Sequence, residues 1–283
     1  MGQYVVTLLA SVFFLSLVSI FGRLLFQVNG YISTFAAYAI VVLLTVLFIA
    51  ARGNFNEIRL RNRKGELLFL ALAQLGSAAF YLIAVQTTEL AVAGLLLYSA
   101  PVWIALIYLT TKEEGVSQKI ILPLALGIVG LVLVLGPEKI MNANLETGLF
   151  FGLLAGISYA FSFIFARKVK DVYNATAVVF WNHFIGFLVL LPLAFIIPFA
   201  IDTPTLIWWT GTGLSWFLGY LLLYYSLRYV KAQHASLIAL AEPVFIAFWG
   251  FLLFQEAISL TTFAGGILLL ANIYLISKQI QSK

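Results

Sequence analysis

One carboxylate, Glu242, stands near the middle of an apolar stretch that covers residues 232–254. In a helix that rises roughly 1.5 Å per residue, it would lie near the midplane of a membrane. An ionised group at that depth is costly, and such groups commonly mark substrate or proton pathways. A buried carboxyl group can hold a proton near neutral pH, which would suit proton coupling or capture of a substrate ammonium. The structural alternative is a protonated carboxyl that joins two helices by hydrogen bonds.

Two prolines, Pro101 and Pro243, interrupt two of the apolar stretches. Because proline has no N–H, Pro243 cannot donate to the carbonyl of Ala239, and Pro101 cannot donate to that of Leu97. Freed carbonyls beside a cavity can bind ligands, and a weakened helix can bend. Either proline alone could be a packing kink, but their matching positions favour a hinge or cavity role.

Another polar pair, Asn182 and His183, lies deep inside a different apolar stretch, where polar groups need partners. Hydrogen bonding between helices is the simpler interpretation, and a proton relay is the alternative. His234 lies near a basic loop and is expected to be solvated. Two distant histidines without cysteine or clustered carboxylates do not form a ligand set, so no metal site is predicted.

The composition decides the class of protein that holds these groups. The 283 residues are 63% hydrophobic and 10% charged, whereas soluble domains are about half apolar and roughly a quarter charged. A soluble protein and a disordered chain are both excluded. The chain has no cysteine, so disulfides and thiolate chemistry are also excluded. It has no glycine-rich phosphate loop, and no nucleotide or other cofactor is predicted.

Apolar stretches of about 20 residues, the length that crosses a hydrocarbon core of about 30 Å, recur along the sequence. They predict ten transmembrane helices over residues 4–26, 33–51, 65–86, 90–110, 120–135, 147–166, 175–199, 206–227, 232–254 and 260–276. The fold class is therefore an all-α polytopic membrane protein. The first stretch has no basic segment before it, so we expect it to remain as a span and not to be cleaved as a signal peptide.

Basic residues alternate with the predicted spans. With the N-terminus in the cytoplasm, fourteen of the sixteen Lys and Arg residues fall in inner loops or in the C-terminal tail, and only Arg23 and Lys139 fall outside. Cytoplasmic enrichment of positive charge predicts that both termini are cytoplasmic and that the membrane is the inner or plasma membrane. The net charge of +5 follows from this topology and does not indicate a nucleic-acid partner.

The two halves of the chain resemble each other. A shift of 142 residues superposes Pro101 on Pro243 and Glu114 on Glu256 without a gap, which indicates internal duplication. Each half has five spans, an odd number, so the second repeat must enter the membrane in the opposite orientation. We predict one repeat over residues 1–137, a linker over 138–146 and an inverted repeat over 147–283. Inverted repeats are typical of secondary transporters that alternate access to a midplane site.

The sequence resembles the drug/metabolite transporter superfamily, and within it the EamA-type ten-helix permeases. The resemblance rests on AQHASLIALAEPVFI at residues 232–246 with Glu256 and Gly265, and on AVAGLLLYSAPVWI at residues 91–104 with Glu114. It implies a central cavity lined by the third, fourth, eighth and ninth helices and by parts of the first and sixth. It also implies export of small metabolites, often amino acids. The chain departs from the family at Tyr38, where many members have arginine. It departs again at Asn272, which stands where the first half has Gly130.

Aromatic and polar residues crowd these predicted cavity helices. Predicted contacts with substrate, besides Glu242, Asn182 and His183, are Gln74, Ser77, Tyr81, Tyr98, Ser99, Trp216, Tyr220 and Tyr224. Packing against lipid or core remains the alternative for any single ring. Trp208 and Trp209 are better interpreted as part of an aromatic belt at the membrane interface.

The predicted cavity contains little positive charge, since Arg23 is the one basic residue inside a span. Substrates with several negative charges would need basic clamps, so we expect an uncharged, zwitterionic or cationic metabolite. Amino-acid export follows from the resemblance, and broad drug or amine efflux is the alternative. A membrane-embedded enzyme that uses Glu242, His183 and Asn182 is less favoured, because no catalytic motif fixes their geometry. The expected partners are the small-molecule substrate, lipid and protons as a candidate coupling ion, and both a monomer and a homodimer remain open.

Overall fold

The computed structural model describes residues 2–88, 90–112, 118–138 and 146–281. Within these ranges the chain forms α-helices and two short 3-10 helices, Phe55–Ile58 and Gln118–Ile120, and no strand. The α-helices are α1 (Gly2–Leu24), α2 (Gly30–Arg52), α3 (Lys64–Thr87), α4 (Leu90–Leu97), α5 (Ala100–Thr111), α6 (Ile121–Leu135), α7 (Glu146–Val169), α8 (Ala175–Ile196), α9 (Thr203–Leu227), α10 (Ala232–Ala239), α11 (Glu242–Phe254) and α12 (Leu260–Gln281).

Ten segments of the described chain are long and apolar enough to cross a membrane. The prediction of ten spans is therefore confirmed, with boundaries that differ from the predicted ones by a few residues. Two spans are not single helices. The fourth span consists of α4 and α5, and the ninth consists of α10 and α11.

Polar side chains set several helix starts. Asn174 accepts a hydrogen bond from the backbone N–H of Ala177 at the start of α8, and Asp202 accepts one from Thr205 at the start of α9, both at 2.8 Å. These bonds satisfy N–H groups that have no partner inside the helix. The bonds from Thr205 also hold the pKa of the exposed Asp202 carboxyl below its usual value.

The helices of the two predicted repeats are interleaved. The largest contacts join α3 to α7, α1 to α9, α6 to α12 and α2 to α8. When the two halves are exchanged, the pair α1–α9 becomes the pair α7–α3, and the other two pairs map onto themselves. The division into two repeats stays a prediction. Glu114, one of the residues that suggested the duplication, lies outside the described residues, as does most of the linker.

Small residues allow the closest of these approaches. A Cβ atom on Gly219 of α9 would lie 2.6 Å from a methyl carbon of Leu15 on α1. At the same crossing, the Ser11 hydroxyl donates to the Gly219 carbonyl at 2.8 Å. In α7, a Cβ on Gly156 would collide with the carbonyl of Leu96. Gly156 of α7 and Gly219 of α9 therefore allow close contacts inside the bundle.

The two ends of the bundle are held differently. At the predicted inner end, the loop after α2 packs against the ends of α7 and α8. There Trp181 donates to the Ile58 carbonyl and the Tyr173 hydroxyl to the Arg61 carbonyl, each at 2.9 Å. At the predicted outer end, Arg23 pairs with Glu256 at 2.5 Å. Arg23 also lies 4.8 Å from the ring centre of Phe254, so the ends of α1 and α11 are joined.

Candidate functional site

Both prolines stand where a span is interrupted. The helix breaks between Leu97 and Ala100 and again between Ala239 and Glu242, and Pro101 and Pro243 fall in the first turn of the helix that follows. Proline fits this position because its missing N–H would have no helical partner there. The predicted local weakness is thus a complete break of the α-helix at the same place in each half. The hinge role of the two prolines stays a prediction.

The break in the ninth span is held by a side chain from α12. The backbone N–H of Ala241 donates to the carbonyl of Ile238 at 3.0 Å, whereas in an α-helix it would donate to the carbonyl of Leu237. The Leu237 carbonyl is therefore left without its helical hydrogen bond. The Asn272 amide donates to this carbonyl at 2.8 Å. Asn272 is fully buried, so a polar brace replaces the missing backbone bond.

At the break in the fourth span, the hydrogen bonds come from residues of the same span. The backbone N–H of Ser99 donates to the Leu96 carbonyl at 3.2 Å, and the Ser99 hydroxyl donates to the same oxygen at 2.5 Å. The indole N–H of Trp103 donates to the Ser99 hydroxyl at 3.0 Å. All three residues belong to one span, so these contacts connect no other span to the break.

Glu242 lies at the second break, among tyrosines from several helices. The Tyr98 hydroxyl is a hydrogen-bond partner of its carboxyl group. Tyr81 on α3, Tyr159 on α7 and Tyr220 on α9 are close enough to interact with it electrostatically. Glu242 and Tyr81 are only half-buried, although helices of both halves surround them. Both side chains are therefore partly accessible from outside the helix bundle core.

A polar network adjoins this carboxyl site. The Gln74 amide donates to the Tyr220 hydroxyl at 2.6 Å, and the Asn182 amide donates to the Tyr224 hydroxyl at 2.8 Å. The rings of Tyr220 and Tyr224 stack with centroids 5.7 Å apart. The network thereby connects α3, α8 and α9, and each of these hydroxyls keeps an O–H hydrogen to donate.

His183 is fully buried beside the same tyrosines. Its Nδ1 lies 2.8 Å from the Val179 carbonyl, which can only accept, so Nδ1 carries the hydrogen in the neutral ring. Its Nε2 then presents a lone pair, and it has no hydrogen-bond partner among the described residues. The rings of Tyr38 and Tyr220 lie 4.9 and 5.1 Å away.

The structure brings most of the predicted site residues into two adjoining groups. Tyr81, Tyr98 and Tyr220 lie around Glu242, and Gln74, Asn182, His183, Trp216 and Tyr224 belong to the adjacent network. Ser99 lies at the first break, and Ser77 is buried in α3. Their contact with substrate stays a prediction.

Two residues of this region were not predicted. Tyr159 approaches Glu242 from α7, and Tyr38 packs against both His183 and Trp216 at ring distances of 4.9 and 5.3 Å. In the sequence, the departure from the family pattern at Tyr38 marks this position as a candidate site residue. Nothing comparable marked Tyr159 among the many aromatic residues of the chain.

Two sequence interpretations are wrong. His234 is 7% exposed and Trp209 is 3% exposed, so the first is not solvated and the second does not belong to an interfacial belt. All of α10 is enclosed by other helices, which buries His234. Trp209 instead packs beside α2, where its indole N–H lies 3.4 Å from the Ser33 hydroxyl.

The groups at the site are a carboxyl group, phenol hydroxyls, amides and an imidazole. Among the described residues, no three His, Cys, Asp or Glu side chains form a group that could hold a metal ion. This chemistry suits recognition of a small polar or cationic molecule by hydrogen bonds and aromatic faces.

Comparisons with known proteins give the family. Residues 146–278 match the EamA-like transporter family. A protein of Archaeoglobus fulgidus described as an uncharacterized transporter is 34% identical over 208 residues, which cover 73% of this chain and 74% of the relative. The Bacillus subtilis transporter YoaV, also described as uncharacterized, is 24% identical over 248 residues that cover 83% of this chain and 82% of that protein.

A solved crystal structure supports the same fold. It matches 100% of this chain and 99% of its own with a TM-score of 0.84, at 13% sequence identity. Since its sequence identity is low, this match shows the architecture alone. The family match and the Archaeoglobus relative carry the assignment further: the chain belongs to the EamA-like transporter family and is a multi-pass membrane transporter.

Proposed function

We propose that this transporter is a secondary carrier that moves a small metabolite with an ammonium group by alternating access at Glu242. One observation carries the proposal: a half-buried carboxyl group lies at a break in a span, among tyrosines contributed by both halves of the chain. Midplane sites at broken helices between inverted repeats are a recurring arrangement in secondary transporters.

The chemistry of the site supports a substrate ammonium. A carboxylate supplies charge attraction, and tyrosine faces attract cations through their quadrupoles. The tyrosine hydroxyls could donate to the carboxylate of a zwitterion such as an amino acid. Export of amino acids is therefore the specific substrate and direction that we propose, with the direction taken from the family resemblance. The same aromatic surroundings favour a second candidate, efflux of diverse organic amines.

Coupling to protons follows from competition at one group. A protonated Glu242 has no charge to offer an ammonium, and a carboxylate paired with an ammonium has little affinity for a proton. If the carrier reorients in one direction with a proton on Glu242 and in the other direction with substrate bound there, a proton gradient drives the substrate in the direction opposite to the proton flow. The two breaks would let the halves move so that the site opens first to one side of the membrane and then to the other.

The experiment uses purified full-length protein in proteoliposomes with an imposed proton gradient. A thermal-shift screen of amino acids, nucleosides and amines first identifies ligands, since a ligand stabilises the state that binds it. Glu242→Gln should then reduce gradient-driven transport of the best ligand at least 100-fold. The matched control is Asp171→Asn, which alters an exposed carboxylate between α7 and α8 and should keep the proton-driven uptake. Undiminished proton-driven uptake by Glu242→Gln would reject the coupling role.

A further inference from the structure

An apolar cavity of about 230 Å³ lies beside the break in the fourth span. Tyr98 and Ser99 at the break form one wall, and Ile128, Leu131 and Val132 of α6 form another. Apart from Tyr98 and Ser99, the residues that line it are aliphatic. The network around Glu242 does not use this space.

The cavity reaches the side of the protein that faces lipid. Ile128 is 38% exposed and the adjacent Val129 is 51% exposed, both near the middle of the span Gln118–Leu135. Ser99 likewise lies near the middle of the span Val92–Thr111. At that depth a membrane consists of hydrocarbon, so the opening meets the apolar interior of the bilayer.

The inner end of the cavity adjoins the carboxyl site. Tyr98 lines the cavity and is also the hydrogen-bond partner of Glu242. Leu240, buried and two residues before Glu242, completes the inner wall. Tyr98 and the turn that follows α10 therefore lie where the apolar cavity meets the acidic site.

The size of the cavity suits one small apolar group. A hydrocarbon-lined cavity of roughly 150 Å³ accepts a benzene ring, and this one is larger. From these contacts we infer that the cavity binds the aromatic or branched alkyl substituent of a lipophilic ammonium whose charged group binds Glu242. This inference rests on the proposed function and adds an apolar subsite that selects amphiphilic amines.

Two quaternary ammonium ions that differ by one ring test the subsite. Tetramethylammonium offers the charge alone, and benzyltrimethylammonium adds a phenyl group. Binding to the full-length protein in nanodiscs is measured by isothermal titration calorimetry. The wild type should bind benzyltrimethylammonium at least tenfold more tightly than tetramethylammonium.

Matched variants separate the subsite from the charge site. Ile128→Trp fills the cavity and should remove the tenfold preference while the affinity for tetramethylammonium stays unchanged. Val129→Trp adds the same ring on the neighbouring lipid-facing position, which does not line the cavity, and should keep the preference. Val132→Phe fills the cavity from a second position, in case the tryptophan variant fails to fold.

The outcomes distinguish failure of the subsite from failure of the proposed function. A preference that persists in both cavity-filling variants overturns the subsite. Equal affinity of the wild type for the two ions also overturns it and favours a lipid acyl chain as the occupant. Failure of both ions to bind the wild type, or unchanged binding of both by Glu242→Gln, contradicts the ammonium site itself.

Discussion

The fourth and ninth spans share a backbone design but differ in what surrounds the break. In the ninth span, the fully buried Asn272 binds the released Leu237 carbonyl. The residue of the first half that corresponds to Asn272 is Gly130 of α6, which has no side chain to offer to the break in the fourth span. An apolar cavity of about 230 Å³ lies beside that break instead. The two halves thus share the interruption but differ in the side chains around it.

The difference suggests separate tasks for the two breaks. Close-packed interiors resist rearrangement, whereas a space lined by aliphatic side chains leaves room for a side chain to move. The ninth span holds the only carboxylate at either described break and fixes its position through a polar brace. The fourth span supplies Tyr98 to that carboxylate and has free volume on its other side. We therefore expect the ninth span to set the site and the fourth to adapt to the ligand.

The strongest test of this comparison is to place a carboxylate at the break in the fourth span. Ala100 corresponds to Glu242 under the shift of 142 residues, and it is 1% exposed. We expect Ala100→Glu to lower the free energy of unfolding by at least about 2 kcal/mol, because an unpaired buried polar group costs that much or more. Chemical denaturation in detergent micelles measures the loss.

Ala100→Val is the control for that variant, since it changes the size of the side chain without adding a polar group. If Ala100→Glu were as stable as the wild type, the first break would tolerate a carboxylate. The proposed asymmetry between the two breaks would then be wrong.

Removal of the brace should have the next largest effect. Asn272→Leu keeps a side chain of similar size but leaves the Leu237 carbonyl buried without its donor. The expected cost is about 1–3 kcal/mol in the free energy of unfolding, the penalty for an unsatisfied buried acceptor. The same denaturation measurement applies, and substrate affinity should also fall, because Glu242 starts the helix that follows the braced turn.

Ser99→Ala is the matched change at the break in the fourth span. It removes two hydrogen bonds, from the Ser99 hydroxyl to the Leu96 carbonyl and from the Trp103 indole N–H to that hydroxyl. The Leu96 carbonyl keeps the backbone N–H of Ser99 as a partner and Trp103 is only half-buried, so the cost should be about 1 kcal/mol and smaller than that of Asn272→Leu. Equal losses for Ser99→Ala and Asn272→Leu would show that the two breaks are held equally firmly.

Sequence reasoning found the breaks for a simple physical reason. A proline has no N–H to continue a helix, so within an apolar stretch it marks a place where the helix weakens or restarts. An apolar stretch of about 20 residues predicts a span without knowledge of its neighbours. The position of Glu242 within its span followed from helix rise alone. These properties are local, so the sequence contains them.

The tertiary contacts were not local and were mostly missed. Tyr159 approaches Glu242, and His234 is buried, because of the way whole helices pack around α10. In spans that are apolar on every side, the face that turns inward leaves a weak periodic signal. Asn272 was noted only as a departure between the halves, and its role as a brace required the position of α12 beside α10.

The smallest expected effect concerns the far end of the ninth span, where Arg23 pairs with Glu256. Both side chains are about half exposed, so loss of the pair should change the free energy of unfolding by no more than about 1 kcal/mol. Transport should respond differently, because the pair joins α1 to α11 across the predicted outer end and must separate if that end opens. We expect Arg23→Glu to change the transport rate severalfold with little change in stability, and Arg23→Glu combined with Glu256→Arg to restore the wild-type rate.

The counterpart of Arg23 shows why the charge swap is informative. Under a shift of 144 residues Arg23 corresponds to Arg167, which donates to the carbonyls of Leu227 and Arg228 at 2.8 and 2.9 Å at the opposite end of the bundle. A carbonyl partner cannot be exchanged by charge reversal, so Arg167→Glu should lose transport without any rescue by a second substitution at Glu256. If the swapped pair at Arg23 and Glu256 failed to restore the rate, the contact would be a passive surface ion pair. Asymmetry between the halves would then be confined to the two breaks.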